Sequence, residues 1–469
     1  MKKLLIPFTI IAFFLSSCDV TSIDDDINKN PNLPSDADPT QLIANAMLWL
    51  PALGSAPSSG YNSTPQGEYN AQYLSQTIYV DGSLYQEGAT SFYWFYQEPL
   101  INLQTAIDNS TLDNQIAVAK ILKAYFIWHM TDRWGDIPYS EALMGADQFT
   151  PVYDTQESIY NSLFALLKEA KDEINTGSSL RSDVIYEGNM EQWITFSNTV
   201  RLLMALRLSE VNPQLAQQEF NAALNDGVMT SNDDSFIFEH LANEDNESFW
   251  YDQVVRTSRD WWALSEGLVS LMKPVNDPRL SFYGDLPQGN ETEYIGLPFG
   301  TPEEGIDPND YSLLGSDMYE QDAPVYLVTY AQVLFAKAEA AARGWIGEDA
   351  ESNYNAAIEN SLLQWTGSSA EASSFIAQPE IAYDSANSIE RISEQRYVHL
   401  FLHGFEAWAE YRRTGYPANM VSPLGRDVPL RQSYTSDEAL NNTENYQQAV
   451  DRQFGGENNL YGRLWWDVE

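Results

Sequence analysis

Apolar positions recur at helical spacing through the middle of the chain and lose their period in two later stretches. Over residues 94–107 and 116–130 they return every three to four positions, with Ile121, Leu122, Tyr125, Phe126 and Trp128 on the inner side of the second run. That is the pattern of helices with one face against a core, and residues 109–113 form the turn between them. The same pattern predicts a second pair over 156–175 and 190–209, joined by a loop near 177–188. A third pair is expected over 325–343 and 349–366, separated by Gly344 and Gly347, and a fourth within 386–413. The third carries Ala336, Ala338, Ala340, Ala341 and Ala342, small residues that allow a close helix–helix approach.

Before this series, an apolar helix is expected over 41–50, ended by Pro51. A loop rich in Ser, Gly and Pro runs to Pro65, and residues 69–96 are dense in tyrosine and amides. Within them a short helix, a loop over 80–89 and a new helix from Thr90-Ser91 are expected. Residues 233–320 and 415–469 are rich in Pro, Gly, Asn, Asp and aromatics without a sustained period, the texture of binding loops. Helix pairs joined by tight turns resemble tetratricopeptide repeats. The expected fold is therefore mainly α, a tetratricopeptide-like scaffold of about four pairs over 92–210 and 324–413. A loop-rich ligand-binding subdomain over 233–320 and 415–469 completes a single domain spanning 40–469.

The first residues read differently. Lys2 and Lys3 precede an apolar run, Leu4 to Phe14, and Leu15-Ser16-Ser17 leads into Cys18, the only cysteine. The run is well short of the roughly 20 residues that span a bilayer, and its layout is that of an export signal. Small residues before a lone cysteine resemble a lipobox, so residues 1–17 are expected to be cleaved and Cys18 acylated. Several acyl chains make a strong anchor. Residues 18–39, with Asp24-Asp25-Asp26, Pro31 and Pro34, are too polar and proline-broken to pack and read as a tether. The acidic run resembles signals that send such lipoproteins to the outer face, although Asp19 would mean inner-membrane retention under other bacteria's sorting rules.

Charge narrows the partners. Twenty-five basic against 67 acidic residues give −42, which repels phosphate backbones and excludes nucleic acid. It also leaves the lipid as the only hold on an anionic membrane. Catalytic signatures are missing: the chain has no Gly-x-Ser-x-Gly elbow, P-loop or Gly-x-Gly-x-x-Gly stretch. His399 and His403 are four apart on an expected helix, but Leu400 stands where a zincin has its glutamate, so the pair reads as helix surface. A glycoside hydrolase needs only two carboxylates and stays open as a low alternative.

Blocks of sequence then carry a family resemblance. Residues 131–142, Thr-Asp-Arg-Trp-Gly-Asp-Ile-Pro-Tyr-Ser-Glu-Ala, resemble a characteristic block of SusD/RagB-type nutrient-binding outer-membrane lipoproteins. Further similar blocks are Asn276-Asp277-Pro278-Arg279-Leu280, Ala323-Pro324-Val325 leading to Glu339, and 406–417 with Arg412-Arg413 before Gly415. Residues 431–438 and Leu464-Trp465-Trp466-Asp467 follow in the same order. The resemblance implies an oligosaccharide-binding, non-catalytic lid over a SusC-like, TonB-dependent β-barrel transporter. Peptides as ligand, or a protein-binding helical scaffold, are the alternatives.

Within these blocks most residues read as architecture. Asp132, Asp136 and Glu141 are expected to accept backbone hydrogen bonds around a helix end, with calcium as the functional rival, since hard oxygen ligands suit it. Arg412 and Arg413 fit a helix C-terminus. Trp94, Trp128, Trp193, Trp408, Trp465 and Trp466 are assigned to packing. Sugar binding calls for a flat ring against C–H faces with amides or charges on the hydroxyls. The candidates are Tyr79, Tyr85 and Tyr93 in one group and Tyr251, Tyr283, Tyr294, Tyr311 and Tyr319 in another.

Overall fold

The computed structural model describes residues 37–54, 64–86 and 91–468. Cys18, the export signal and nearly all of the tether lie outside the described residues, as do parts of the loops 55–63 and 87–90. Pro39–Glu469 form one compact unit, mainly helical and built from neighbouring helices in sequence.

The longer helices are α1 (Pro39–Met47), α2 (Ile101–Asn109), α3 (Asp113–Trp134), α4 (Gln156–Glu173), α5 (Met190–Arg207), α6 (Pro213–Asp226), α7 (Tyr330–Ala342), α8 (Ala350–Thr366), α9 (Ser388–His399), α10 (Gly404–Thr414) and α11 (Thr443–Phe454). Their starts are set by short polar side chains. Thr155 accepts from Ser158 N at 3.2 Å, and Asn212 accepts from Leu215 N at 3.2 Å with Pro213 following. Thr329 and Gln332 form a reciprocal capping box on α7. Gly367 and Gly415 end α8 and α10 at φ 70° and 74°, a conformation that costs glycine nothing.

Packing runs along the series: α3 against α2 and α4, α5 against α4 and α6, α7 against α8, and α9 against α7 and α10. Helix α11 falls where only irregular chain was expected, and α6 lies ahead of the first irregular stretch, where no element was expected. α3 is buried almost all round from Ala117 to Trp134, which makes it a central helix rather than an amphipathic surface one. Among the described residues, sheet is confined to three antiparallel ladders. They join β1 (Leu74–Gln76) to β5 (Trp262–Leu264), β2 (Ile137–Pro138) to β3 (Tyr153–Asp154), and β4 (Phe236–Phe238) to β6 (Val325–Val328).

A seam of charge crosses the scaffold interior. Arg207 donates to Asp132 at 3.1 Å, Glu406 at 2.7 Å and Glu410 at 2.5 Å, while Arg413 spans Glu339 at 2.6 Å and Glu410 at 2.6 Å. Arg396 closes it through Glu410. Burial alone would raise the Glu339 carboxyl, but Arg413, Arg396 and Arg343 hold it down at about 2. The Arg412 guanidinium stands over Trp408, 3.7 Å from the ring centre, and donates to the carbonyls of Asp132 and Leu430. The arginine pair is architecture as expected, by a different cause: both side chains turn into the core instead of capping a helix end.

Three further expectations change. Asp132 accepts from side chains, the Tyr160 hydroxyl, Arg207 and the Trp466 indole; Asp136 and Glu141 do take backbone N–H groups, from Gln156 and Val152. His399 and His403 are buried, not surface. His399 sits between the Thr329 hydroxyl at 2.8 Å and the Ser361 hydroxyl at 3.0 Å, and burial lowers it to about 3. Trp94 is 46% exposed, unlike the packed Trp128, Trp193, Trp408 and Trp466.

Candidate functional site

The loop region has its own core, in which Tyr73, Tyr283, Tyr397 and Phe401 stack around the β1–β5 ladder. This core is seated on the scaffold through a glycine contact: a side-chain carbon on Gly404 would come within 2.2 Å of the Gly67 backbone. Glu68 then accepts from Gly404 N at 2.9 Å.

From that base the ladder aims the site. Gln76 pairs with Trp262, and beyond it Thr77 N donates to Trp261 O at 3.0 Å and the Thr77 hydroxyl to Asp260 O at 2.8 Å. Leu314 N donates to Trp262 O on the other edge of β5. Tyr79, two residues past Thr77, meets the Trp261 ring edge to face, with centres 5.2 Å apart at 72°. Its backbone is held by the Glu303 carboxylate at 2.9 Å. Tyr79 is 61% exposed, and the Arg259 guanidinium stands 4.1 Å from the Trp261 ring.

Beside this pair opens a cavity of about 380 Å³. Arg259, Asp260, Asp285, Gln288, Tyr311 and Tyr319 line it among others. Burial and the Asp285 and Asp317 carboxylates raise the Tyr319 hydroxyl, keeping it a donor. A π-helical turn, Asp252–Arg256, leads into Ser258 at φ 53° and so presents Arg259; such turns concentrate at functional sites. Flat rings, an anchored cation, carboxylates and an amide around one opening suit a neutral polyhydroxylated ligand: rings for C–H faces, polar groups for hydroxyls.

The SusD-like family model, described as starch-binding and associating with the outer membrane, matches residues 31–434. The chain belongs to the SusD-like family. Among solved structures it is similar to a chitin-binding protein, at 29% identity and TM-score 0.79 over 92% of this chain and 100% of that one. It is also similar to a chitin-binding SusD homologue from Flavobacterium johnsoniae, at 28% identity and TM-score 0.79 over 92% and 98%. A SusD homologue from Bacteroides fragilis aligns at 26% identity and TM-score 0.80 over 92% and 100%. A search of curated proteins finds no match. No helix among the described residues is long and apolar enough to cross a membrane.

In this SusD-like chain the candidate tyrosines separate. Tyr79, Tyr311 and Tyr319 come together around the cavity and its rim. Tyr251 and Tyr294 are half-buried outside its lining. Tyr283 is fully buried, stacked on Phe401 at 4.1 Å with its hydroxyl donating to Val398 O, and Tyr85 is buried with its hydroxyl accepting from Gln72. Neither offers a ring face to a ligand, because both rings are buried and packed, Tyr283 on Phe401 and Tyr85 against Phe299. Tyr93 stands elsewhere, half-buried against Glu438, whose carboxylate also accepts from Tyr153. Burial raises Glu438 to about 7, against the Tyr93 hydroxyl, which lowers it.

The sequence reading missed Trp261 and Arg259 as a unit. The run Arg259-Asp260-Trp261-Trp262 was the available signal: on a strand, alternation sends the two tryptophans to opposite faces, and only one of them serves the core. For calcium, the Asp132 carboxylate oxygens are already engaged by protein donors. Among the described residues no group of three or more His, Cys, Asp or Glu is placed to hold a metal ion.

Proposed function

We propose that this SusD-like chain is a non-catalytic surface lipoprotein, anchored through Cys18, that binds oligosaccharide at the Tyr79–Trp261 pair and the adjoining cavity. It then delivers the ligand, as a hinged lid, to a SusC-like TonB-dependent transporter. The observation that carries the reading is the exposed Tyr79 ring set against Trp261 and Arg259 beside a cavity edged by Asp260, Asp285, Gln288 and Tyr311. The chitin-binding nature of two similar structures supports the ligand class.

Ligand held between lid and barrel gains contacts available only in the closed state, so closure follows from differential affinity. A tether from Cys18 keeps lid and barrel at high effective concentration. Calorimetry of the Cys18→Ala protein against chitin-derived oligomers, starch-derived oligomers and a peptide pool tests the ligand class. Binding of an oligosaccharide and no peptide is expected, and binding of peptide alone would overturn it. Recovery of a β-barrel partner with the tagged full-length protein from its own membranes tests the delivery role.

A further inference from the structure

The charges around the proposed site are unevenly answered. Residues 233–320 hold four lysines and arginines, Arg256, Arg259, Lys273 and Arg279, and three of them are committed to carboxylates outside the cavity lining. Arg256 pairs with Glu247 at 2.6 Å, Lys273 with Glu293 at 2.7 Å and the buried Arg279 with Asp277 at 2.6 Å. Of the four, Arg259 alone lines the cavity. It is held there, its guanidinium donating to the Gln253 carboxamide oxygen and standing over the Trp261 ring.

The carboxylates there have no such answer. Asp260 and Asp285 line the cavity; Asp285 accepts from Ser316 N at 3.3 Å and from its hydroxyl at 3.2 Å, and among the described residues neither carboxylate stands in an ion pair. Two more back them, Asp317 acting on the Tyr319 hydroxyl and Glu303 holding the Tyr79 amide at 2.9 Å. The phenols register this field: after burial, Asp285 is what raises the Tyr294 and Tyr319 hydroxyls. The effect is local and not a share of the chain's −42, because charges more than about 8 Å away are largely screened at physiological salt. We propose that Asp260 and Asp285 make the site select its oligosaccharide by charge, admitting neutral chains and excluding those that carry carboxylate or sulfate groups. A uronate has the ring and most of the hydroxyls of its neutral parent and could stack on Tyr79 and Trp261 alike. Its acid group, brought beside either aspartate, meets like charge, and the one cation in the lining is already held by Gln253. The inference rests on the oligosaccharide reading of this site and adds which sugars are turned away.

Calorimetry of the full chain carrying Cys18→Ala tests it, with hexamers of glucose and of N-acetylglucosamine as neutral probes, each beside its counterpart oxidised at C6 to the uronate. A neutral hexamer should bind, and its uronate counterpart roughly tenfold or more weakly, with a gap that narrows as salt is raised. Asp260→Asn together with Asp285→Asn should shrink the ratio of neutral to uronate affinity by about threefold or more at unchanged melting temperature, since asparagine keeps the shape and loses the charge. A uronate bound as tightly as its neutral parent by the chain with both aspartates intact sinks the proposal. So does a gap that neither salt nor the paired substitution moves. In both cases binding of the neutral hexamer leaves the oligosaccharide reading standing. If neither neutral hexamer binds, that reading falls and takes this one with it.

Discussion

The scaffold and the loop region use the same kinds of side chain for opposite ends. In the scaffold, Arg412 lies on Trp408 and Arg207 is enclosed by Asp132, Glu406 and Glu410, all of them buried. In the loop region Arg259 lies on Trp261 in much the same geometry, but Tyr79 beside it faces water. A cation on an aromatic ring is therefore no signature of binding by itself. What separates the two is whether the remaining donors and ring faces are already satisfied by the protein.

If that distinction holds, variants in the two regions separate stability from affinity. Glu339→Ala leaves Arg413 and Arg396 buried with less countercharge, and should cost about 3–5 kcal/mol, read as a large fall in melting temperature. Trp261→Ala should leave melting unchanged and weaken oligosaccharide binding at least tenfold by calorimetry, about 1.4 kcal/mol. A loss of stability in place of affinity would put Trp261 with the scaffold.

Glu438 tests a third position, against Tyr93 and Tyr153 of the scaffold core. Its folded pKa is raised to about 7 from 4.5, so the folded state favours the protonated carboxyl. The stability this brings is complete below pH 4.5 and is lost as pH rises through 7. Glu438→Gln should therefore stabilise the protein at pH 8, by on the order of 1–3 kcal/mol, and gain little at pH 4.5, in paired thermal melts. Tyr283→Phe should produce the smallest change. It removes one buried hydrogen bond to Val398 O, costs about 1 kcal/mol, and leaves ligand affinity alone.

The helical scaffold was legible because its signals are local. The apolar period over 116–130 and the breaks at Pro51, Gly344 and Gly347 sit in the sequence next to what they shape. The site was only half legible. Of the candidate tyrosines, Tyr311 and Tyr319 line the cavity and Tyr79 meets Trp261 beside it, while Tyr85 and Tyr283 lie in the core, because composition does not tell a tyrosine with a core partner from one without. His399 and His403 were misread for a related reason: α9 faces the interior with polar residues, Arg396 and His399 among them, so its buried side has the texture of a surface. Trp261 and Arg259 depend on a strand pairing, Gln76 to Trp262, that closes over nearly two hundred residues and leaves no periodic trace.

The charged seam also fixes an order of events. Arg207 meets its carboxylates on Glu406 and Glu410 across 199 and 203 positions of chain. Until the chain through Glu410 is available to fold, those partners are missing, and the earlier helices must wait with a solvated guanidinium where the interior will be. The scaffold therefore cannot finish folding from its first half. Its last ion pairs form only after the C-terminal helices arrive, and a truncation before Glu406 should yield a chain that stays open, however well its early helices pair.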